Sequence, residues 1–147
     1  MNIETITLDP AVNMLGEIFF NMNPIVRMTI EGEPASKANS RQIVTLKSGK
    51  RKSIKSEKAR NYVEAFTIQC AQKVRGLLPY EGDVAVFIKI YYASRRPDLD
   101  ESIILDAMQG MVYKNDRQVK GKTIVWGLDR KRPRVDIAVY AIEEFGG

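Results

Sequence analysis

Two aspartates stand in the segment Pro97-Asp98-Leu99-Asp100, shortly after the most regular alternation of apolar and polar residues in the chain. Pro97 favours extended backbone before it and cannot continue a helix. In an extended chain residues two apart point the same way, so Asp98 and Asp100 should lie together while Leu99 faces the core. Two carboxylates about 4 Å apart repel by about 4 kcal/mol at an effective dielectric near 20, and a cation between them removes that cost. Oxygen ligands select Mg²⁺ or Mn²⁺, and both ions suit phosphoryl transfer.

The chain has no histidine and a single cysteine among its 147 residues. Ser-His-Asp and Cys-His catalysis, imidazole metal sites and structural zinc are therefore excluded. Cys70 falls within an apolar helical stripe, which predicts a small buried hydrophobe. Enzymatic chemistry is left to carboxylates, lysines and an oxygen-preferring cation.

The formal net charge is +5, and the positive residues concentrate between positions 37 and 60, where nine Lys and Arg face one acid, Glu57. Such a concentration of positive charge indicates a segment that contacts nucleic-acid phosphates; the alternative is a solvent-exposed loop without a partner. Together with the two arginines before Pro97, the residues predicted to bind nucleic acid are Lys37, Arg41, Lys50, Arg51, Lys52, Lys55, Arg95 and Arg96.

Hydrophobic periodicity predicts the elements that position these residues. Strands are predicted at 24–31, 84–92, 123–128 and 135–142, a basic hairpin at 43–52, and helices from Ser56 to Gly76 and from Ser102 to Gln109. This order predicts an α+β fold, in which a small mixed β-sheet packs against two helices.

Residues 1–22 fit no clear period and are predicted to be an N-terminal extension of a single domain spanning 23–147. The longest apolar run, Val84 to Tyr92, is far shorter than the ~20 residues of a membrane span. Glu4 and Asp9 stand where a secretory signal would be cationic. We expect a soluble, cytoplasmic protein with no membrane partner.

A second acidic turn, Asn115-Asp116-Arg117-Gln118-Val119, follows the shorter helix, whose end reads Leu105-Asp106-Ala107-Met108-Gln109-Gly110. Upstream, Gly32-Glu33-Pro34-Ala35-Ser36-Lys37 follows the first strand. In this order, and with Pro97-Asp98-Leu99-Asp100 between them, these motifs resemble the RusA family of Holliday junction resolvases. The resemblance covers roughly residues 24–142.

The resemblance implies a RusA-like fold and a metal-dependent, structure-selective endodeoxyribonuclease that resolves Holliday junctions by paired symmetric nicks in DNA recombination and repair. Asp98, Asp100 and Asp116 would be the metal ligands and catalytic residues, with Mg²⁺ (or Mn²⁺) as the cofactor. The implied partners are four-way-junction DNA and a second copy in a homodimer, and the implied source is a phage or prophage. Asp106 is predicted to be structural.

One departure from the family pattern concerns the residues after Asp100. The family usually has Asn and then a Lys one turn into the helix, whereas Glu101-Ser102-Ile103-Ile104 stands here. Glu101 is a candidate for an additional ligand, and Lys37, Lys114 and Lys120 are candidates for the missing positive charge. An impaired catalytic step is the other possibility.

Two alternative functions stay open. One is a non-catalytic nucleic-acid-binding module with the same fold, which the missing helix lysine favours. The other is a restriction-type nuclease, because Pro97-Asp98 followed by Asp129-Arg130-Lys131 imitates the Pro-Asp … Asp-x-Lys pattern of that class.

Overall fold

The computed structural model describes residues 24–35, 41–74, 79–95 and 99–142. The predicted extension at 1–22 and the predicted site residues Lys37, Arg96 and Asp98 lie outside these described residues. The elements in chain order are β1 Val26–Glu31, β2 Arg41–Thr45, β3 Arg51–Lys55, α1 Glu57–Lys73, β4 Val84–Tyr92, α2 Ser102–Met108, a 3-10 helix Asp116–Gln118, β5 Val119–Leu128 and β6 Arg134–Ala141.

Four strands form the main sheet in the order β1-β6-β4-β5, and β2 pairs with β3 in a separate antiparallel hairpin. β4 runs parallel to β5 and antiparallel to β6, so the sheet is mixed. β4 lies between two neighbours and is almost wholly buried, which its Val- and Ile-rich sequence favours. The predicted mixed sheet is confirmed.

Helix α1 begins where Ser56 Oγ accepts a hydrogen bond from the Ala59 backbone N–H at 3.2 Å, a cap that satisfies one free donor of the first turn. The predicted stripe is buried, with Phe66 and Cys70 fully so. Burial raises the pKa of the Cys70 thiol to about 11, so the reactive thiolate is disfavoured. The prediction of a structural cysteine is confirmed.

Helix α2 connects the parallel strands β4 and β5, which a tight turn cannot join. It buries Ile103, Ile104, Ala107 and Met108 in the same core as the apolar side of α1. Both helices and the sheet therefore share one core, as an α+β fold requires. None of the helices within the described ranges is long and apolar enough to cross a bilayer.

Candidate active site

Asp100 stands immediately before α2 and is only 4 % exposed, the one buried charged side chain in the described part of the chain. Its Oδ1 accepts hydrogen bonds from the Ser102 backbone N–H at 3.0 Å and from Ser102 Oγ at 2.6 Å. These bonds fix the carboxylate and satisfy a free donor in the first turn of α2. A buried carboxylate is unfavourable unless donors or a cation balance its charge, so Asp100 is a candidate cation ligand.

Glu101 follows Asp100 and forms an ion pair with a lysine on the neighbouring strand. Its Oε2 lies 3.0 Å from Lys122 Nζ, and the two side chains are 19 % and 51 % exposed, respectively. Lys122 pairs in register with Val86 of the central strand. The ion pair therefore joins the start of α2 to the first half of β5.

Asp116 begins the 3-10 helix that precedes β5, and its side chain is exposed. Asn115 caps this helix, because its Oδ1 accepts from the Arg117 backbone N–H at 2.9 Å. Gln118 Oε1 accepts in turn from the backbone N–H groups of Lys114 and Asn115, both at 2.9 Å. The Asn-Asp-x-Gln pattern thus forms a reciprocal capping box that presents Asp116 at its first helical position.

Two glutamines tie this turn to the rest of the fold. Gln118 Nε2 donates to the backbone carbonyls of Tyr80 at 2.7 Å and Gly82 at 2.8 Å, just before β4. Gln109 Oε1 accepts from the Asp116 backbone N–H at 3.1 Å. The Asp116 backbone is therefore held from both sides. We did not predict these roles, although the fixed spacing of Gln109 and Gln118 around the acidic turn is the signal that could have indicated them.

A cavity of about 230 Å³ lies between α2 and β5. Its lining residues are Leu105, Asp116, Val119, Lys120, Gly121 and Lys122. Lys122 thus lines the same cavity as Asp116 and also contacts Glu101, and Glu101 and Leu105 lie one turn apart on one side of α2. Lys122 therefore connects the two acidic motifs, through its ion pair with Glu101 and through the cavity that it shares with Asp116.

The buried Tyr113 lies near two of the acidic side chains, Asp116 and Asp106. Its buried hydroxyl donates to the Leu105 carbonyl oxygen at 2.6 Å. Burial raises the pKa of this phenol most, and the negative charges of Asp116 and Asp106 raise it further. Asp106 is exposed on α2, and its negative charge acts on the same phenol as that of Asp116.

The structure connects Lys122 to Glu101, next to Asp100, and to the cavity of Asp116, but no three acidic or cysteine side chains within the described ranges are close enough to form a metal site. Asp98, the third predicted ligand, lies outside those ranges. Of the candidate lysines, Lys114 is ion-paired with Glu81 and Lys120 lines the cavity. Lys122 was not predicted, although it stands two residues after the candidate Lys120 and lines the same cavity.

Asp129, the residue on which the restriction-type alternative depends, closes the turn between β5 and β6. Its Oδ1 accepts from the backbone N–H groups of Lys131 and Arg132, both at 3.1 Å, and its Oδ2 lies 2.7 Å from Arg134 Nη1. The hydrogen bond from Arg134 is the main reason that the pKa of Asp129 lies below its ordinary value. These contacts give Asp129 a structural role in the turn.

The β2–β3 hairpin, residues 41–55, carries six positive and no negative side chains. Because the whole chain sums to +5, the rest of the protein is formally −1, so the basic character of the protein resides in this hairpin. Nearly all of its residues are exposed. Among the described residues, no ion pair involves a hairpin cation. Arg95, another predicted binding residue, is also exposed.

Comparison with known families agrees with this arrangement. The family described as endodeoxyribonuclease RusA matches residues 31–140, a range that contains the hairpin, α2 and both acidic motifs. No curated protein matches the sequence. The matched family indicates an endodeoxyribonuclease that resolves Holliday junctions, the class that the motifs predicted. The chain belongs to the RusA endodeoxyribonuclease family.

Proposed function

We propose that this protein is a divalent-metal-dependent endodeoxyribonuclease that nicks four-way DNA junctions, with Asp98, Asp100 and Asp116 as metal ligands and catalytic residues. The observation that carries the proposal is the convergence of two distant acidic motifs on Lys122. Asp116 shares a cavity with this lysine, and Glu101, next to Asp100, is ion-paired with it. Convergence of carboxylates from separate motifs is what a metal site requires and what isolated turn aspartates do not need.

The residues present fit a hard cation. Asp100 is a buried carboxylate whose Oδ1 is fixed by Ser102, and Asp116 is exposed beside the cavity. Both offer only oxygen atoms, which suits Mg²⁺ and also Mn²⁺. When bound, such an ion polarises the scissile phosphate and lowers the pKa of water.

The protein's own side chains then have limited tasks. Asp98, Asp100 and Asp116 would bind and orient the metal ion. The chain has no histidine, the usual general base near neutral pH, and the aspartates need not take that role. Lys122 balances the charge of Glu101 at 3.0 Å, and Lys120 adds a second positive group on the cavity wall. Together the two lysines limit repulsion between an acidic site and an anionic substrate.

The hairpin supplies the affinity for DNA in this proposal. Arg41, Lys50, Arg51, Lys52 and Lys55 contact backbone phosphates, which strengthens binding without selecting a sequence. Lys37, Arg95 and Arg96 are proposed to extend this contact toward the site.

Two features of the assembly are also proposed. A homodimer places two sites symmetrically on a four-way junction, because two-fold assemblies match the near-symmetry of that substrate. Residues 1–22 form an extension outside the nuclease domain, and the family match, which begins at residue 31, supports this division.

The test is cleavage of a synthetic four-way junction with and without Mg²⁺. We expect the wild type to make paired nicks only with the metal, Asp98→Asn and Asp116→Asn to abolish nicking, and Asp129→Asn to retain it. Loss of nicking in Asp129→Asn, with nicking retained in Asp116→Asn, would support the restriction-type alternative. Binding of the junction by wild type without nicking in Mg²⁺ or Mn²⁺ would support the non-catalytic module, which the lack of a lysine in Glu101-Ser102-Ile103-Ile104 favours.

A further inference from the structure

One face of the β2–β3 hairpin combines positive charge with an exposed apolar side chain. The strand register pairs Arg41 with Lys55, Ile43 with Ser53 and Thr45 with Arg51, and directly paired residues in antiparallel strands project from the same face. Ile43 therefore lies at the middle of a face that carries three cations and no acid. We call this surface the Ile43 face.

The exposure of Ile43 sets it apart from the other apolar residues of the hairpin strands. Ile43 is 68 % exposed, whereas Val44 and Ile54, which project from the opposite face, are half-buried. A single exposed isoleucine is ordinary on a protein surface, but here its closest neighbours across and along the strands are a serine, a threonine and cations. Arg41 donates hydrogen bonds to Ser53, but none of these three cations has an acidic partner among the described residues. An apolar protein surface docking on Ile43 would have to desolvate three positive charges without neutralising them, which is unfavourable.

DNA offers complementary chemistry for both kinds of side chain. Its phosphates lie at the groove edges and its bases lie inside, and a two-stranded β-ribbon fits within the major groove. Apolar side chains of DNA-binding proteins also insert at base steps, where they partly unstack the bases. The cost of unstacking is smallest where pairing or stacking is already interrupted.

We propose that the Ile43 face docks on branched DNA, with Arg41, Arg51 and Lys55 on phosphates and Ile43 against bases at the branch point. This inference rests on the proposed function and adds to it the residue that recognises branching. The cations contribute affinity for any DNA, because phosphate contacts do not depend on structure or sequence. Ile43 contributes the preference for a junction over a continuous duplex, because its insertion between bases costs more free energy where the stack is continuous than where it is already interrupted.

The test compares binding of the full chain, in buffer without divalent metal, to a four-way junction and to a linear duplex. The junction carries 2-aminopurine beside the branch point, so that its fluorescence reports unstacking. The variants are Ile43→Ser, Arg51→Gln and the matched control Ile68→Ser, which removes an isoleucine that is 59 % exposed on α1. Far-ultraviolet circular dichroism verifies that each variant is folded.

We expect Ile43→Ser to weaken junction binding by about tenfold, as for loss of most of a buried isoleucine contact, and to leave duplex binding unchanged. The rise in 2-aminopurine fluorescence on binding should also be lost, and Ile43→Leu should restore it. Arg51→Gln should reduce the slope of log affinity against log salt by about 0.9 on both DNAs, as for one lost phosphate contact. Ile68→Ser should stay within about twofold of wild type, because surface changes away from contacts have small effects.

The inference is overturned if Ile43→Ser weakens junction and duplex binding equally, or no more than Ile68→Ser does. It is also overturned if Ile43→Ser converts a dimer to a monomer in light scattering, since a second copy would then cover the Ile43 face. Failure of the proposed function is a separate result: wild type that does not nick the junction in Mg²⁺ would refute cleavage, while these binding measurements would still decide the role of Ile43.

Discussion

The turn that carries Asp116 and the β2–β3 hairpin are built in opposite ways. Around the turn, side chains of Asn115, Gln109 and Gln118 bond to backbone groups before, within and beyond the 3-10 helix. The hairpin is held by its own strand pairing, and five of its six cations are exposed, Lys55 being half-buried. Next to the turn, Lys114 is ion-paired with Glu81. The hairpin instead carries six positive charges, more than the net charge of +5 of the whole protein.

The difference corresponds to two kinds of demand on a nuclease. Chemistry at a phosphate requires reacting groups held within a fraction of an ångström, so the residues that carry them need rigid support. Attraction to a polyanion depends mainly on the number of positive charges and tolerates small movements. We therefore expect changes in the turn region to act on the cleavage rate, and changes in the hairpin to act on affinity.

Asp100→Asn should have the largest effect on cleavage. The substitution keeps an acceptor for Ser102 but removes the buried charge, so the single-turnover cleavage rate at saturating protein should fall by on the order of a thousandfold. Melting in the absence of metal should be unchanged or slightly higher, because a buried charge is lost. Asp83→Asn, an exposed aspartate just before β4, is the control, and a comparable loss of rate in that variant would remove Asp100 from the site.

Neutralising three hairpin cations should have the next largest effect, which is a loss of affinity for DNA. In the combined variant Lys50→Gln, Arg51→Gln and Lys52→Gln, up to three phosphate contacts are lost, so the salt slope of binding should fall by about 2.7 and the affinity near 0.1 M salt by about a hundredfold. The measurement is fluorescence anisotropy with labelled junction and duplex at several salt concentrations.

A matched variant separates this effect from general charge. Lys58→Gln, Arg60→Gln and Lys73→Gln remove the same charge from α1, and we expect a smaller decrease of affinity and of slope. If both triple variants lose affinity equally, the phosphate contacts are not concentrated in the hairpin. If the hairpin variant cleaves slowly even at saturating protein, the division of roles between the two regions is wrong.

The sequence predicted the elements that depend on local periodicity. Strict alternation located β4 at Val84–Tyr92 with both ends correct, and the apolar stripe of α1 was identified because local periodicity reflects one core. The segment 102–109 was predicted as helix to within one residue. The motif order indicated the family, since short polar motifs are constrained by chemistry.

Contacts between distant segments were the part that periodicity could not predict. Strand β5 begins at Val119 rather than the predicted Thr123, because pairing with β4 extends it through a lysine- and glycine-containing segment that does not alternate clearly. Lys122 was overlooked for the same reason: its partner Glu101 lies 21 positions away in sequence, and only the parallel pairing of β4 with β5 brings them together. Gln118 donates to the backbone carbonyls of Tyr80 and Gly82 across even larger separations of 38 and 36 positions.

Gln118→Ala tests whether rigid support matters to the turn. The variant loses two donors to backbone carbonyls and the acceptor for two backbone N–H groups, so we expect the free energy of unfolding to fall by about 2 kcal/mol. Because Asp116 is then less well positioned, the cleavage rate should fall by about tenfold, while junction affinity changes little. Gln72→Ala, an exposed glutamine on α1, should affect neither quantity, and a stable Gln118→Ala with full activity would contradict the role of the turn.

Lys122→Met should have the smallest effect on the cleavage rate, and Lys114→Met is its matched control. Both lysines form one ion pair each, Lys122 with Glu101 and Lys114 with Glu81. Both lysine side chains are more than half exposed, and ion pairs at the surface contribute only about 0–1 kcal/mol to stability. The two variants should therefore melt alike. Only Lys122 lines the cavity with Asp116, so only its loss leaves Glu101 uncompensated beside the substrate phosphate. We expect single-turnover cleavage to slow by about fivefold in Lys122→Met, less than the loss from removing an aligned donor, and not in Lys114→Met. Equal rates in the two variants would mean that the Glu101–Lys122 pair only joins α2 to β5 and has no part in the chemistry.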